Sequence, residues 1–410
     1  MRRTALAFAL LAVLGGAPAA PAAPAWAPQC SSVTVSPAYA TDGKVACSNR
    51  WGVYLSTDRG RTWRAQSPLV TGVPVPNLPI YGVLFSPRYA TDRTLYAFSD
   101  TLLASVDDGR TFVPAEAGLT SGGLDRMTPF VGAVSPVPGA GERVAFAYTD
   151  VVGPAGYQQA VPYVIEADAR TRHPVAGSPG TELVRFAVPP RLAPTDPVFA
   201  LTFRADGRPG VDRCDATFTC ATAVATFSGD QVMRTAPRVW VSDDWPARRH
   251  VHVVWSTPTG VRAYRSLDGG TTFVPWRSLD RTIRTHRKSL LPPVVTFAHT
   301  AGQPNLLYAA VQHDLHSDAK PGTVESELFR STDAGSTWRL VATSRYHGPR
   351  TRAPGRLPGS FGRSLTQEQG LVLAPDGRLF AALSNDPDRD DTAVYCSVDG
   401  GRTWAAACAR

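Results

Sequence analysis

The chain has 410 residues, of which 43% are hydrophobic and 19% charged, enough apolar content for a sizeable core and too much for a disordered chain. Its 35 glycines and 36 prolines give a turn-rich balance that argues against a helical bundle or a coiled coil. The formal charge of +8 rests on 42 basic residues, of which only Lys44, Lys288 and Lys320 are lysines, and this arginine bias reads as genome composition rather than nucleic-acid binding.

The N-terminus carries the parts of an export signal: Arg2 and Arg3, an apolar stretch from Thr4 to Leu14, then small residues such as Ala17 and Ala19. Residues 1–25 are therefore read as a signal peptide, and residues 30–410 as one domain. The apolar stretch is too short to span a bilayer, and no later segment reaches about 18 apolar residues. The mature protein is expected to be secreted or otherwise extracytoplasmic, without a membrane span. Six cysteines fit an oxidising compartment. Fifteen connectivities are possible in principle, and the positions suggest three local pairs: Cys30 with Cys47, Cys214 with Cys220, and Cys396 with Cys408. No Cys-x-x-Cys occurs, so they read as structural staples.

From Val33 onward the chain alternates two repeats. The first is a short strand, a turn and another short strand: Val33 to Cys47 reads VTVSPAYATDGKVAC and Val83 to Ala97 reads VLFSPRYATDRTLYA. Weaker versions lie at Val131 to Tyr148, Phe186 to Leu201, Val239 to Trp255, Val294 to Ala310 and Leu371 to Leu383. The second is an octapeptide, Ser-x-Asp-x-Gly-x-Thr-Trp/Phe. It occurs five times, at Ser56 to Trp63, Ser105 to Phe112, Ser266 to Phe273, Ser331 to Trp338 and Ser397 to Trp404. Its Asp can accept hydrogen bonds from backbone N–H groups of a turn, and its Gly supplies a positive φ. The aromatic is expected to be buried between neighbouring sheets. Ala167 to Thr171 and Cys214 to Cys220 read as two eroded copies, the second with a disulfide in place of the hydrogen bonds. Seven units of four short strands predict an all-β fold, a seven-bladed β-propeller with four-stranded antiparallel blades. The first unit starts with its innermost strand near Cys30, and the last ends with its outermost strand near Cys408. Closure is thus expected without a strand borrowed across the termini.

The octapeptide is the Asp-box, and the chain resembles the broad group of Asp-box propellers from about Cys30 to its end. That group includes sialidases, xyloglucan-degrading hydrolases, sortilin-type receptors and a photosystem assembly factor. The resemblance implies the fold and leaves function open. It also implies that Asp58, Asp107, Asp268, Asp333 and Asp399 are turn residues. Sialidases carry an early Phe/Tyr-Arg-Ile-Pro motif whose arginine helps clamp the substrate carboxylate. Neither Tyr89-Ala90-Thr91-Asp92 nor Phe203-Arg204-Ala205-Asp206 matches it. The expected Tyr nucleophile with a Glu partner has no clear place either; Glu142, one of seven glutamates, falls in a first-to-second-strand turn on the box face.

Ligand sites in propellers usually occupy the face opposite the boxes. Two long connectors on that face are basic. Val274 to Pro293 contains Arg277, Arg281, Arg284, Arg287 and Lys288, and the connector after the sixth box contains Arg350, Arg352 and Arg356. Arginine forks suit carboxylate, sulfate or phosphate. Arg281, Arg284, Arg287, Arg350, Arg352 and Arg356 are the candidate binding residues. Two further loops carry His313, Asp314, His316 and Asp318, and Asp386, Asp388, Asp390 and Asp391. Their spacing matches no established metal set, so no metal or other cofactor is expected. An acidic pair among them would serve glycoside cleavage, where two carboxylates stand roughly 5–10 Å apart. There is no Gly-x-Ser-x-Gly elbow, His-Glu-x-x-His or Walker-type loop. The leading expectation is a monomeric, non-catalytic module that binds a glycan or an extracellular or cell-surface protein, with no nucleic-acid partner. The alternative is a sialidase-like or xyloglucanase-like glycoside hydrolase.

Overall fold

A computed structural model describes residues 28–49, 52–66, 80, 82–99, 102–115, 129–137, 141–150, 159–166, 171–174, 181–189, 196–204, 206–215, 218–227, 238–242, 245, 247–257, 260–285, 293–300, 302–314, 324–345, 355, 357–358, 370–384, 392–406 and 408. For 129–185, 221–222, 260, 284–285, 314, 324 and 345 it describes the backbone alone. The signal segment and the copy expected at Ala167 to Thr171 (its first four residues) lie outside the described residues.

Strong alternation of apolar residues with short turns yields consecutive antiparallel sheets. Sheet 1 is β1 (Ser32–Val35), β2 (Val45–Asn49), β3 (Gly52–Ser56) and β4 (Arg64–Gln66). A single helical turn, α1 (Tyr39–Asp42), joins its first two strands. Sheet 2 repeats this with β5 (Gly82–Phe85), α2 (Tyr89–Asp92), β6 (Leu95–Phe98), β7 (Leu102–Ser105) and β8 (Val113–Pro114). Sheet 3 is β9 (Pro129–Val137), β10 (Gly141–Asp150), β11 (Gln159–Glu166) and β12 (Thr171–Pro174). Sheet 4 is β13 (Thr181–Ala187), β14 (Val198–Arg204), β15 (Pro209–Cys214) and β16 (Cys220–Thr226). Sheet 5 is β17 (Arg238–Val241), β18 (Val251–Thr257), β19 (Gly260–Ser266) and β20 (Val274–Pro275), followed by α3 (Arg277–Thr285). Sheet 6 is β21 (Val294–Ala298), β22 (Leu307–Asp314), β23 (Val324–Ser331) and β24 (Arg339–Arg345). Sheet 7 has three strands, β25 (Leu371–Leu373), β26 (Leu379–Ser384) and β27 (Thr392–Ser397). The hairpins expected from the sequence all form, and Glu142 lies in β10 rather than in a turn.

Strands of successive sheets lie against one another, and those of sheet 7 lie against β1. Apolar residues fill the gaps between sheets. Tyr39, Val45 and Trp63 of sheet 1 share one cluster with Phe380, Val394 and Cys396 of sheet 7. Val254, Val261 and Ala263 of sheet 5 share another with Val295, Phe297, Ala309 and Phe329 of sheet 6.

The joint between the two ends departs from expectation. Gln29 bridges Ala393 of β27, and the Val394 N–H donates to the Pro28 carbonyl at 3.2 Å. Ala405 bridges the other end of the same strand at Cys396. Among the described residues sheet 7 has no fourth strand, and single bridges from both ends of the domain occupy that edge of β27. All three cysteine pairs are disulfides as expected: Cys30–Cys47, Cys214–Cys220 and Cys396–Cys408. Two of them fasten the segments that make this joint, each closing a loop whose cross-linking is worth about 3 kcal/mol.

Candidate functional site

The five boxes share one hydrogen-bond pattern. In each, the Gly N–H donates to the Ser Oγ at 2.8 Å. The Thr N–H donates to one Asp oxygen at 2.8–2.9 Å. The Thr hydroxyl donates to the other at 2.6–2.7 Å. Both carboxylate oxygens of Asp58, Asp107, Asp268, Asp333 and Asp399 are thus engaged by their own turn. The Gly has positive φ, as expected, and so does the residue before it: Arg59, Asp108, Gly269, Ala334 and Gly400. Of the aromatics, Trp63, Phe112 and Trp404 are buried while Phe273 and Trp338 are half-buried. In the copy at Cys214 to Cys220 the disulfide adds to the hydrogen bonds instead of replacing them, because the Thr219 N–H still donates to Asp215 Oδ1 at 3.0 Å.

This bonding lowers the carboxyl pKa values. Asp268 is held at about 2, led by the Ser266 hydroxyl and then Thr272. Asp333 is also at about 2, led by the Thr337 hydroxyl. At Asp58, Asp107 and Asp399 burial is the largest influence and pulls upward, but the combined Ser, Thr and backbone donors outweigh it. A carboxyl whose native pKa lies below its unfolded value stabilises the fold above that unfolded value and loses the contribution on acidification. The boxes should therefore add a steep loss of stability between about pH 4 and pH 2. Replacing Asp268 by Asn should cost about 1 kcal/mol at pH 7, since the turn is exposed, and should flatten that acid limb. Equal pH profiles for the two proteins in thermal melts would contradict the assignment.

Two tyrosines next to the boxes are held in their protonated form by their surroundings. The Tyr89 hydroxyl donates to Asp108 Oδ1 at 2.5 Å, and Lys44 Nζ of sheet 1 reaches the same oxygen at 2.7 Å. Burial, then Asp108, push the Tyr89 pKa up. Tyr39 is pushed up to about 12, again chiefly by burial. Both stay protonated and tie adjacent sheets together.

The first part of the basic connector after the fifth box, through Thr285, is a helix rather than a loop. Strand β20 ends after two residues, the Trp276 N–H donates to Ala263 of β19 at 2.7 Å, and α3 then runs beside β19. Trp276, Leu279 and Ile283 are buried in the core between sheets 5 and 6. Trp276 Nε1 and Ser278 Oγ both donate to the Gly335 carbonyl, at 2.9 and 2.6 Å. Arg277 and Arg281 are exposed, four residues apart and so on one helical face. The helix thus continues along β19 where the two-residue β20 leaves off. Arg284 belongs to α3, whereas Arg287, Arg350, Arg352 and Arg356 lie outside the described residues.

Of the acidic and histidine loops, His313 is described in full and Asp314 by its backbone; His316, Asp318, Asp386, Asp388, Asp390 and Asp391 lie outside the described residues. His313 is not on a loop. It is fully buried in β22, with Nε2 3.1 Å from Glu327 Oε2, and the buried Glu325 lies directly opposite it on β23. The buried Arg238 shares a face of β17 with Trp240, which packs into the same gap between sheets 5 and 6. Among the described residues no group of three or more His, Cys, Asp or Glu is arranged to hold a metal ion.

Sequence reasoning missed two further groups. Arg204 Nη2 donates to the fully buried Asp212 at 2.6 Å under the β14–β15 turn. His250, His252 and His299 line a cleft between sheets 5 and 6 on the box side, beside Thr300 and Ala334. Neither carries a local signal, because each joins residues from different strands.

No model of a protein family matches the chain, and no curated protein does. Solved structures similar to it include the GH74 enzyme of Niastella koreensis, at 15% identity and a TM-score of 0.39, over 93% of this chain and 55% of that one. The GH74 xyloglucanase of Xanthomonas campestris is similar at 16% identity and a TM-score of 0.39, over 89% and 56%. The Dos1 propeller is similar at 11% identity and a TM-score of 0.44, over 92% and 90%. The chain spans about half the length of the two GH74 enzymes.

Proposed function

We propose that the protein is an exported, seven-bladed propeller of the Asp-box kind that acts as a non-catalytic binding module for an anionic glycan or an extracellular protein. The observation that carries this reading is α3. Its buried Trp276, Leu279 and Ile283 hold it against β19, so Arg277 and Arg281 stand exposed on a fixed surface. Guanidinium pairs on such a surface suit carboxylate or sulfate groups, because the backbone that carries them is already ordered before binding. Arg284 and Arg287 continue the segment, and Arg350, Arg352 and Arg356 are proposed as the second part of the surface. The box carboxylates are consumed by their turns, and Glu325 and Glu327 are buried, which leaves the hydrolase reading to the acidic loops.

The test is retention of the purified protein on immobilised carboxylated and sulfated polysaccharides, alongside fluorophore release from a panel of aryl glycosides, sialosides included. Arg277→Glu with Arg281→Glu should weaken retention about tenfold, while Tm stays within about 1 °C because both side chains are exposed. Unchanged retention would remove this surface from the proposal, and turnover that tracks the protein through purification would replace binding with hydrolysis.

A further inference from the structure

Three imidazoles gather in the cleft between sheets 5 and 6, beside Ala334 of the sheet 6 box. His250, directly before β18, and His252 within it have ring centres 6.1 Å apart, and His299 follows β21 across the gap. His252 stacks on Trp276 at 4.6 Å, and Trp276 stacks on Phe297 at 5.5 Å while donating its indole N–H to Gly335. Trp276 is also the residue directly before α3. The histidine cluster and the seat of the basic helix therefore share one aromatic stack.

We propose that this cluster is an acid-responsive latch on α3, in which a proton on His252 loosens its contact with Trp276 and lets the helix leave its place between sheets 5 and 6. The groups that act on His252 are His250 just before its own strand, His299 after β21, and Arg265 on β19. Each is a cation or can become one. Burial first, then His299, His250 and Arg265, hold its pKa well below the ordinary histidine range. An imidazolium would gain attraction from the indole face of Trp276, yet that gain does not offset burial beside three cationic neighbours. His250 and His299 are half-buried and reach solvent, so a proton on either raises the cost of one on His252.

The sign follows from the depressed pKa. With the helix released, part of the burial is lifted and His252 titrates higher, toward the ordinary histidine range; seated, it does so lower. The seated state is fully favoured above about pH 6.5 and loses about tenfold in its equilibrium per pH unit below that. This window lies well above the one set by the box carboxylates. Any effect on ligand capture rests on the binding reading above, whereas the release of the helix does not.

The experiment is hydrogen exchange of the ligand-free full chain between pH 7.5 and pH 5, corrected for intrinsic exchange rates and followed at residues 276–285. Opening of this segment should rise about tenfold per pH unit below 6.5 in the wild type, while β22 and β23 change little. In His252→Phe, which keeps a ring against Trp276, the dependence should vanish. If that variant does not fold, His250→Gln with His299→Gln should make the rise level off at a higher pH, because His252 is then less depressed in the seated state. A flat wild-type response, the wild-type slope retained in His252→Phe, or a double variant that follows the wild-type curve down to pH 5 would overturn the latch. Because no ligand takes part, failure here is separate from failure of the polysaccharide experiment at neutral pH.

Discussion

Gly335→Ala should lower stability by about 3 kcal/mol, and Gly207→Ala by only about 1. Both glycines have positive φ, +79° and +76°, so each substitution carries the same backbone strain. They differ in surroundings. A Cβ on Gly207 meets nothing within 4 Å, whereas one on Gly335 would stand 2.1 Å from Cζ2 of Trp276. That ring has no room to yield, because its N–H is bonded to the Gly335 carbonyl and its faces are stacked on His252 and Phe297. Relief would require moving α3 with it. The difference between the two variants isolates the collision from the strain, and equal shifts in denaturation midpoint would show that the close approach does not matter.

Arg204→Met should cost about 3–5 kcal/mol, because it leaves the carboxylate of Asp212 buried without a counter-charge. Asp212 is fully buried, and its Oδ1 accepts from Arg204 at 2.6 Å while Oδ2 has no hydrogen-bond partner. Gly210 is part of the same arrangement: a Cβ there would lie 2.6 Å from Arg204 Nε, so the guanidinium rests flat on bare backbone. Adding Asp212→Asn to Arg204→Met removes the stranded charge and should recover at least half of the loss. Each change is measured by denaturation, and the double variant supplies the coupling. Simple additivity of the two costs would mean that the pair is not a unit.

The parts legible in the sequence are those built from neighbours in the chain. The Ser, Asp, Gly and Thr of a box bond to one another within eight residues, so the turn, its left-handed glycine and the strand on either side follow from residue types alone. The cysteine pairs were legible for the same reason, each being close in sequence. The Trp276, Leu279 and Ile283 spacing is a helical one, but it sits among arginines and prolines that read as a loop, and a two-residue β20 gives no strand signal. The second positive-φ residue of each box was hidden because Arg59, Asp108 and Ala334 adopt a conformation their side chains do not favour. The bridge from Gln29 to β27, the Arg204–Asp212 pair and the meeting of His299 with His250 and His252 were not legible. The first and last join segments far apart in sequence, and the pair, though only eight residues apart across a hairpin, carries no residue pattern that marks it as buried.

The box glycines also give the molecule a direction. A Cβ on Gly270 of sheet 5 would collide with Phe199 of sheet 4, one on Gly335 of sheet 6 with Trp276 just after β20, and one on Gly401 of sheet 7 with Leu328 of sheet 6. One on Gly60 of sheet 1 would collide with Phe380 of sheet 7. At these joints every turn leans backward, like a shingle resting on the course laid before it. Excising sheet 6 would strip Trp276 of its cover and leave Gly401 with nothing beneath it, so the damage would fall on both neighbours at once. Such a chain cannot be shortened by one repeat without rebuilding two contacts, and a duplicated repeat could be spliced in only if its own glycine found a ring or a leucine already waiting.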